Sequence, residues 1–141
     1  VQRMSAGTGV LHSEFNHSQE NGLHFLQIWI ETAQRGIQPS YEQKHFPTAE
    51  RQGQWRLVLS PDGRDGSVSV NQDVNLYASL LSAGDHLTTP PSRYAWLHVV
   101  KGTIEVNGER LTTGDAAAFT PDEHVELTSS DASEVLLFDL A

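Results

Sequence analysis

The stretch TIEVNGERL, residues 103–111, decides the fold class of this sequence. Ile104 and Val106 alternate with polar residues, which is typical of a half-buried strand. Asn107 and Gly108 then suit a two-residue type I′ turn, because both turn positions require positive φ angles. The stretch therefore predicts a β-hairpin.

Other stretches on both sides of this hairpin are also typical of strands rather than of amphipathic helices. The predicted strands are LHFLQIWI (23–30), WRLVLS (55–60), SVSV (67–70), VNLYASLL (74–81), AWLHVV (95–100), AAAF (116–119), HVELT (124–128) and EVLLFDL (134–140). Turn signals rich in Gly, Pro, Asp and Asn separate them. Many short strands at close spacing predict an all-β sandwich or barrel. The aromatic residues of these strands are expected in its core, namely Trp29, Trp55, Trp96, Phe119 and Phe138.

Composition narrows the classes of function. The 141 residues include 38% hydrophobic and 19% charged residues, as in an ordinary globular protein. The net charge of -9 and the scattered Lys and Arg residues argue against direct binding to nucleic acid. No apolar run approaches the length of a membrane span. We therefore expect a soluble, cytoplasmic protein.

The stretch GTGVLHSEFN, residues 7–16, contains the candidate site. His12 and Glu14 are two positions apart, so in an extended chain they share a face at a spacing of about 6.5–7 Å. An imidazole with a carboxylate suits iron, manganese, nickel, copper or zinc. Two ligands alone hold a transition metal poorly, and an H-x-E pair also occurs by chance in polar loops. From the residues alone, two interpretations of His12 and Glu14 remain: half of a metal site, or a solvated polar pair.

The surroundings of this pair resemble a known family. Gly9, His12 and Asn16 fit the second cupin motif, and the longer run MSAGTGVLHSEFN is similar to the signature of the pirin family. The phrases LHFLQIWI, GIQPSYEQKHF and SEVLLFDL resemble the bacterial pirin-like quercetin dioxygenases along nearly the whole chain. The resemblance implies a cupin fold, the double-stranded β-helix or jelly-roll barrel. Residues 1–40 would be the last strands of an N-terminal cupin, and residues 41–141 a complete C-terminal cupin.

The resemblance also implies a metal centre. In pirins three His and one Glu hold the metal, most often iron, and His12 and Glu14 match two of these ligands. The other two His ligands are expected upstream of Val1, so the chain is expected to lack its natural N-terminus and to be inactive alone. His17 is a candidate for orienting a ligand or the substrate, although a solvated loop histidine is the better explanation.

The implied function is that of a quercetin 2,3-dioxygenase, which opens the heterocycle of a flavonol with dioxygen and releases carbon monoxide. Glu14 would then also be the catalytic base toward the substrate hydroxyl. One alternative is a non-enzymatic, metal-binding pirin that regulates a protein partner. Another is a cupin dioxygenase or isomerase that acts on a different substrate.

The second cupin is expected to be free of metal, with a structural role. Counting back from Gly102, its ligand positions fall at Thr88, Pro90 and Tyr94, which should cluster where ligands would sit. Val125 takes the place of the last ligand, and His124 is expected on the opposite face of the strand. Residues 1–40 are expected to have exposed apolar strand edges. This further predicts an oligomer, a domain swap or disorder of residues 1–40 for this chain.

Overall fold

The structure is a computed structural model that describes residues 1–89 and 93–141. Its strands are β1 (Gln2–Ser5), β2 (Ser40–Gln43), β3 (Arg56–Ser60), β4 (Val68–Ser69), β5 (Val74–Leu81), β6 (His86–Thr89), β7 (Tyr94–Lys101), β8 (Thr103–Val106), β9 (Glu109–Thr112), β10 (Ala116–Phe119), β11 (Val125–Ser129) and β12 (Ser133–Leu140). A four-residue helix, α1 (Thr48–Arg51), follows β2. Within the described ranges the protein is therefore all-β apart from short helical turns.

The strands form three sheets. One has six strands in the order β10-β7-β12-β5-β3-β4, one has four in the order β6-β11-β8-β9, and β1 pairs with β2 alone. Neighbouring strands are antiparallel except for β3 and β4, which run parallel. The two larger sheets share one core, which gives the layered arrangement of a jelly roll.

The hairpin predicted from TIEVNGERL is confirmed. β8 pairs antiparallel with β9, and Val106 lies opposite Glu109 across the turn. Asn107 and Gly108 have φ angles of 49° and 85°, as a type I′ turn requires. Most of the other predicted strands also form, within one or two residues of the predicted bounds.

The predicted strand 23–30 is wrong. This stretch has no regular secondary structure, and Trp29 in it is 90% exposed. A strand needs a neighbour that accepts and donates backbone hydrogen bonds, and no described strand pairs with this stretch. β1, β2 and β6 were missed because they are short and mostly polar.

The first core lies between the six-stranded and four-stranded sheets. Along β11, buried residues alternate with exposed ones from Val125 to Ser129, as in a strand with one face in water. Leu97 on β7 and Ile104 on β8 are completely buried in this core. Burial of these inward faces removes most of the apolar side chains of both sheets from water.

A second apolar cluster covers the opposite face of the six-stranded sheet. Leu76 and Ala78 of β5 belong to it, and Phe46 from the segment after β2 packs on the same side. Leu136, which lies opposite Ala78 in the sheet, packs against it from β12. The central strands are therefore apolar on both faces, which explains why VNLYASLL and EVLLFDL are almost continuous apolar runs.

The expectation that all the strand aromatics lie in the core is partly wrong. Phe119 is buried, and Trp55 and Phe138 are partly buried against the two clusters. Trp96 is 45% exposed, because it lies on the face of β7 opposite the first core. Trp29 lies in the unpaired stretch described above. A two-residue period predicts that residues share a face and does not predict which face is covered.

This chain is expected to self-associate. Phe15, Phe25 and Trp29 are 84%, 57% and 90% exposed, which places roughly 300–600 Å² of aromatic surface in water within one segment. This summed area is comparable to that of the largest apolar patch on a typical monomer. Light scattering should give a mass above that of one chain, and replacing these three residues by Ser should lower it. A stable monomer before substitution would contradict the expectation.

No helix in the described part of the chain is both long enough and apolar enough to cross a membrane.

Candidate functional site

His12 and Glu14 lie in the long excursion between β1 and β2. Residues 6–39 contain no helix or strand, and both side chains are exposed to solvent. The excursion begins at Gly7, whose φ angle is +52° and where an added Cβ would lie 2.0 Å from the carbonyl oxygen of Ile37. Gly9 then donates its N–H to the carbonyl of Ala6 at 2.7 Å. Glycine is therefore required for the tight turn just before the two candidate ligands.

A second turn follows the candidate ligands. The Asn16 amide nitrogen donates to the carbonyl oxygen of Asn21 at 2.7 Å, and the Ser18 N–H donates to the Asn16 side-chain oxygen at 3.0 Å. The Asn16 of the cupin-like motif thus stabilises a reversal of the chain after Glu14. His17 is exposed in this turn, which agrees with a solvated loop histidine.

The donor types at His12 and Glu14 fit a divalent transition metal, since an imidazole nitrogen and a carboxylate oxygen are usual ligands of such ions. Across residues 1–89 and 93–141, no group of three or more His, Cys, Asp or Glu side chains comes together to hold an ion. These two residues can therefore supply part of a ligand set, and further ligands are needed for a stable site.

The first core is apolar at the position that the motif assigns to the last ligand of the second cupin. Val125 is completely buried and His124 is exposed, as the sequence predicted. The predicted cluster of Thr88, Pro90 and Tyr94 is wrong for the two residues that can be judged, because Thr88 and Tyr94 are both exposed. Pro90 lies outside the described residues.

The error at Tyr94 has a simple cause. β7 directs alternate side chains to opposite faces, and it is Ala95 that is buried in the first core. The count from Gly102 therefore placed this ligand position one residue too early along β7. Ala95 and Val125 both offer only apolar atoms, so they leave the barrel interior without ligands at these two positions.

The sequence did not predict a network of polar contacts that holds β1 and β2 against β4. Arg3 Nε donates to the carbonyl oxygen of Ser69 at 2.9 Å, and Arg3 Nη2 lies 3.3 Å from Glu42 Oε2. The Glu42 carboxylate accepts hydrogen bonds from the Ser69 hydroxyl at 2.7 Å and from the Ser69 N–H at 3.0 Å. Lys44 Nζ lies 2.9 Å from the other Glu42 oxygen and donates to the carbonyl of Ser67 at 2.6 Å. We call the residues Arg3, Glu42, Lys44, Ser67 and Ser69 the clasp.

No periodic pattern marks the clasp in the sequence. Its charged members are Arg3, Glu42 and Lys44, and more than 35 residues separate Arg3 from the other two along the chain. The closest available signal is that Arg3 and Glu42 stand within the polar runs QRMS and SYEQ, which become β1 and β2. Only the pairing of those strands, with Arg3 opposite Glu42, brings the charges together.

The clasp is expected to make stability depend on pH in acid. The hydrogen bond from the Ser69 hydroxyl, with those from Lys44 and the Ser69 N–H, lowers the pKa of Glu42 from 4.5 to about 2. A carboxylate whose pKa is lower in the folded state stabilises the fold above its unfolded pKa, and this contribution is lost as the pH falls through the folded pKa. The loss should therefore occur as the pH falls from 4.5 to about 2.

Chemical denaturation at several pH values tests this expectation. The difference in free energy of unfolding between the parent protein and Glu42→Gln should be largest above pH 4.5 and should shrink towards pH 2. Glu109→Gln, at the exposed start of β9, is the matched control that leaves the clasp intact. A difference that stays constant across this range would contradict the assignment.

Comparison with known proteins places this chain in a family. Residues 57–140 match the family described as the quercetinase C-terminal cupin domain, and residues 1–30 match the family described as pirin. The chain belongs to the pirin family. The all-β cupin fold predicted from the sequence is thereby confirmed. His12 and Glu14 lie in the part that matches pirin, and the two larger sheets lie almost entirely in the part that matches the quercetinase C-terminal cupin domain.

Named bacterial relatives cover almost all of this pirin chain. The quercetin 2,3-dioxygenase of Escherichia coli (strain K12) is 44% identical over 141 residues, which are 99% of this chain and 60% of that protein. A putative quercetin 2,3-dioxygenase of Pasteurella multocida is 42% identical over 143 residues, with the same shares. This chain thus spans about 60% of the length of these relatives.

Two crystal structures are similar to this pirin. The protein YhhW from Escherichia coli superposes with a TM-score of 0.73 at 38% identity, over 80% of this chain and 48% of that chain. A structure of bacterial pirin YhhW in complex with nickel(II) superposes with a TM-score of 0.70 at 39% identity, over 77% of this chain and 47% of that chain.

Proposed function

We propose that this chain is part of a pirin-like, metal-dependent quercetin 2,3-dioxygenase. The observation that supports this most strongly is the pair His12 and Glu14, which stands within residues 1–30, the part similar to pirin. Relatives that bear the name quercetin 2,3-dioxygenase, at 44% and 42% identity, support the reaction type and a flavonol substrate.

In this proposal His12 and Glu14 each contribute one ligand. His12 binds through a neutral imidazole nitrogen, and Glu14 binds through a carboxylate oxygen. A divalent metal held there would supply Lewis acidity toward the substrate oxygens and would orient the substrate. Iron is our first candidate, and nickel is the second because a related bacterial pirin has been crystallised with nickel(II).

Glu14 has a second role in the proposal. Its carboxylate accepts the proton of the flavonol hydroxyl, so that the substrate reacts as its enolate. A carboxylate is required for this step because an amide in the same place cannot take up a proton at neutral pH.

The proposal also assigns different roles to two parts of the chain. Residues 1–40 belong to the metal-binding cupin, and residues 41–141 form a C-terminal cupin without a metal site. The chain spans about 60% of the length of its curated relatives, so the two remaining His ligands are assigned to the part of such a protein that this chain does not cover. We call a protein of the relatives' length the long form.

The test is metal content and flavonol turnover measured on the same preparation of the long form. Mass spectrometry should find a divalent transition metal, and quercetin should be consumed with release of carbon monoxide. Removal of the metal with a chelator should stop consumption, and addition of iron or nickel should restore it. A metal-loaded protein that consumes no flavonol would contradict the dioxygenase proposal and favour a regulatory pirin with a protein partner.

A further inference from the structure

Both ends of the excursion that carries His12 and Glu14 are fixed to one short part of the chain at the edge of the six-stranded sheet. This part is residues 67–72, which comprise β4 and the turn after it, and we call it the ledge. The outgoing end is held by Arg3 on β1, which donates to the carbonyl oxygen of Ser69, and Glu42 on β2 accepts from the Ser69 hydroxyl beyond the returning end. The Asn71 amide nitrogen also donates to the Ser5 hydroxyl at 3.0 Å, two residues before Gly7.

The returning end of the excursion reaches the same ledge. Ala33 donates its N–H to the carbonyl oxygen of Asn71 at 2.8 Å, and Gln72 Nε2 donates to the carbonyl oxygen of Glu31 at 2.8 Å. Ile30, the residue before Glu31, packs against the second apolar cluster beside the ledge. The stretch that carries the candidate ligands therefore begins and ends at fixed points.

The ledge itself is firmly anchored in the barrel. Ser67 and Val68 are completely buried, and the backbone of β4 pairs with β3. The Ser67 hydroxyl lies 2.7 Å from the hydroxyl of Ser60, which is also completely buried. Because buried side chains are closely packed, the ledge cannot shift without disturbing the second cluster.

The contacts of Arg3 and Glu42 with the ledge are not those of an isolated surface ion pair. An exposed pair of long side chains contributes little, because water screens it and both chains must be ordered. Here the Arg3 fork binds a backbone carbonyl, the Ser40 hydroxyl at 2.6 Å and Glu42 together. A planar guanidinium that binds several partners fixes the direction of the Arg3 side chain as well as its distance from the ledge.

We propose that the ledge is the platform that positions the His12–Glu14 segment, and that Arg3 and Glu42 are its positioning residues. The proposed C-terminal cupin, residues 41–141, then has a role in the site although no ligand is assigned to it. It holds the base of the excursion, so that the two ligands are presented in one orientation rather than on a freely moving loop. The importance of this for metal binding rests on the proposed function, whereas the coupling between clasp and segment does not.

The coupling can be measured without metal by spin labelling. The chain has no cysteine, so Ser13→Cys, between the two ligands, and Glu105→Cys, on the exposed face of β8, give a unique pair of labels. Pulsed electron spin resonance on the whole chain, metal-free and diluted with unlabelled protein, then reports the distance distribution between the excursion and the barrel. Arg3→Ala should broaden this distribution at least twofold, and Glu42→Gln should broaden it to a smaller extent.

Arg56→Ala is the matched control. Arg56 pairs with Glu50 at 2.8 Å and has a similarly shielded side chain, but it makes no hydrogen bond to the ledge. It should lower the thermal midpoint of unfolding without broadening the distance distribution. If Arg3→Ala does not fold, Glu42→Gln is the variant that decides.

Two results would overturn the proposal. One is a broad distribution in the parent protein, and the other is a distribution that the clasp variants leave unchanged or that Arg56→Ala broadens equally. A nickel(II) titration of the long form separates this question from the proposed function. Weaker binding in Arg3→Ala than in Arg56→Ala supports the platform. A parent that binds neither nickel(II) nor, in a parallel titration, iron(II) contradicts the metal site and leaves the spin-label result valid.

Discussion

Glu14→Gln is expected to lower flavonol turnover by the long form by roughly 10²–10⁴, the usual contribution of a general base. The amide keeps an oxygen that can still coordinate, so most of the bound metal should remain. The amide cannot accept the proton of the substrate hydroxyl, and the loss should therefore fall on kcat. Metal content by mass spectrometry beside steady-state kinetics measures both effects on one sample.

His12→Ala is the companion variant to Glu14→Gln. It removes a nitrogen ligand and leaves nothing in its place, so most of the metal should be lost and activity with it. Added metal in excess should restore part of the activity of His12→Ala but not that of Glu14→Gln. If His12→Ala keeps both its metal and its activity, the assignment of the ligands is wrong. Equal losses of metal in both variants would remove the separate role of Glu14 as base.

Leu97→Ala should have the largest effect on stability, with a loss of about 2–5 kcal/mol in the free energy of unfolding. Leu97 is 0% exposed in the first core, near the middle of β7. β7 lies between β10 and β12, so neighbouring strands cannot move inward to fill the cavity without breaking the sheet. Urea or guanidinium unfolding measures the change.

Leu140→Ala is the control for this substitution. It makes the same chemical change at the end of β12, where the side chain is 36% exposed. Its cost should be well below that of Leu97→Ala, because less apolar surface returns to water and a hole at the surface fills with solvent. Similar losses for the two variants would mean that the first core is not the main source of stability.

Local patterns were sufficient to predict most strands of the two larger sheets. In β11 and β12 the buried positions follow from a two-residue period, and Asn107-Gly108 fixed one hairpin in register. These signals are local because each strand has one face in the first core and its turns have strict requirements for φ. The exposed His124 beside the buried Val125 follows from the same alternation.

The same patterns failed where burial depends on a neighbour. Trp29 and Trp96 lie in stretches typical of strands, but nothing described covers the first, and the second faces away from the core. The clasp was not predicted for a related reason, since Arg3 and Glu42 become partners only after β1 and β2 pair. The candidate site was found from residue type and spacing in a motif, and its two ligands remain a prediction.

The place of β12 in the six-stranded sheet has a consequence for synthesis of the protein. β12 is the last strand along the chain, yet it lies between β7 and β5 and joins the two halves of the sheet. On the ribosome these halves stay apart until about residue 140 has emerged. At roughly 5–20 residues per second, the edge of β5 that pairs with β12 therefore stays open for about 3–12 seconds, because 59 residues separate the end of β5 from the end of β12. During that interval a nascent chain is open to wrong pairings, and holding chaperones have time to bind it.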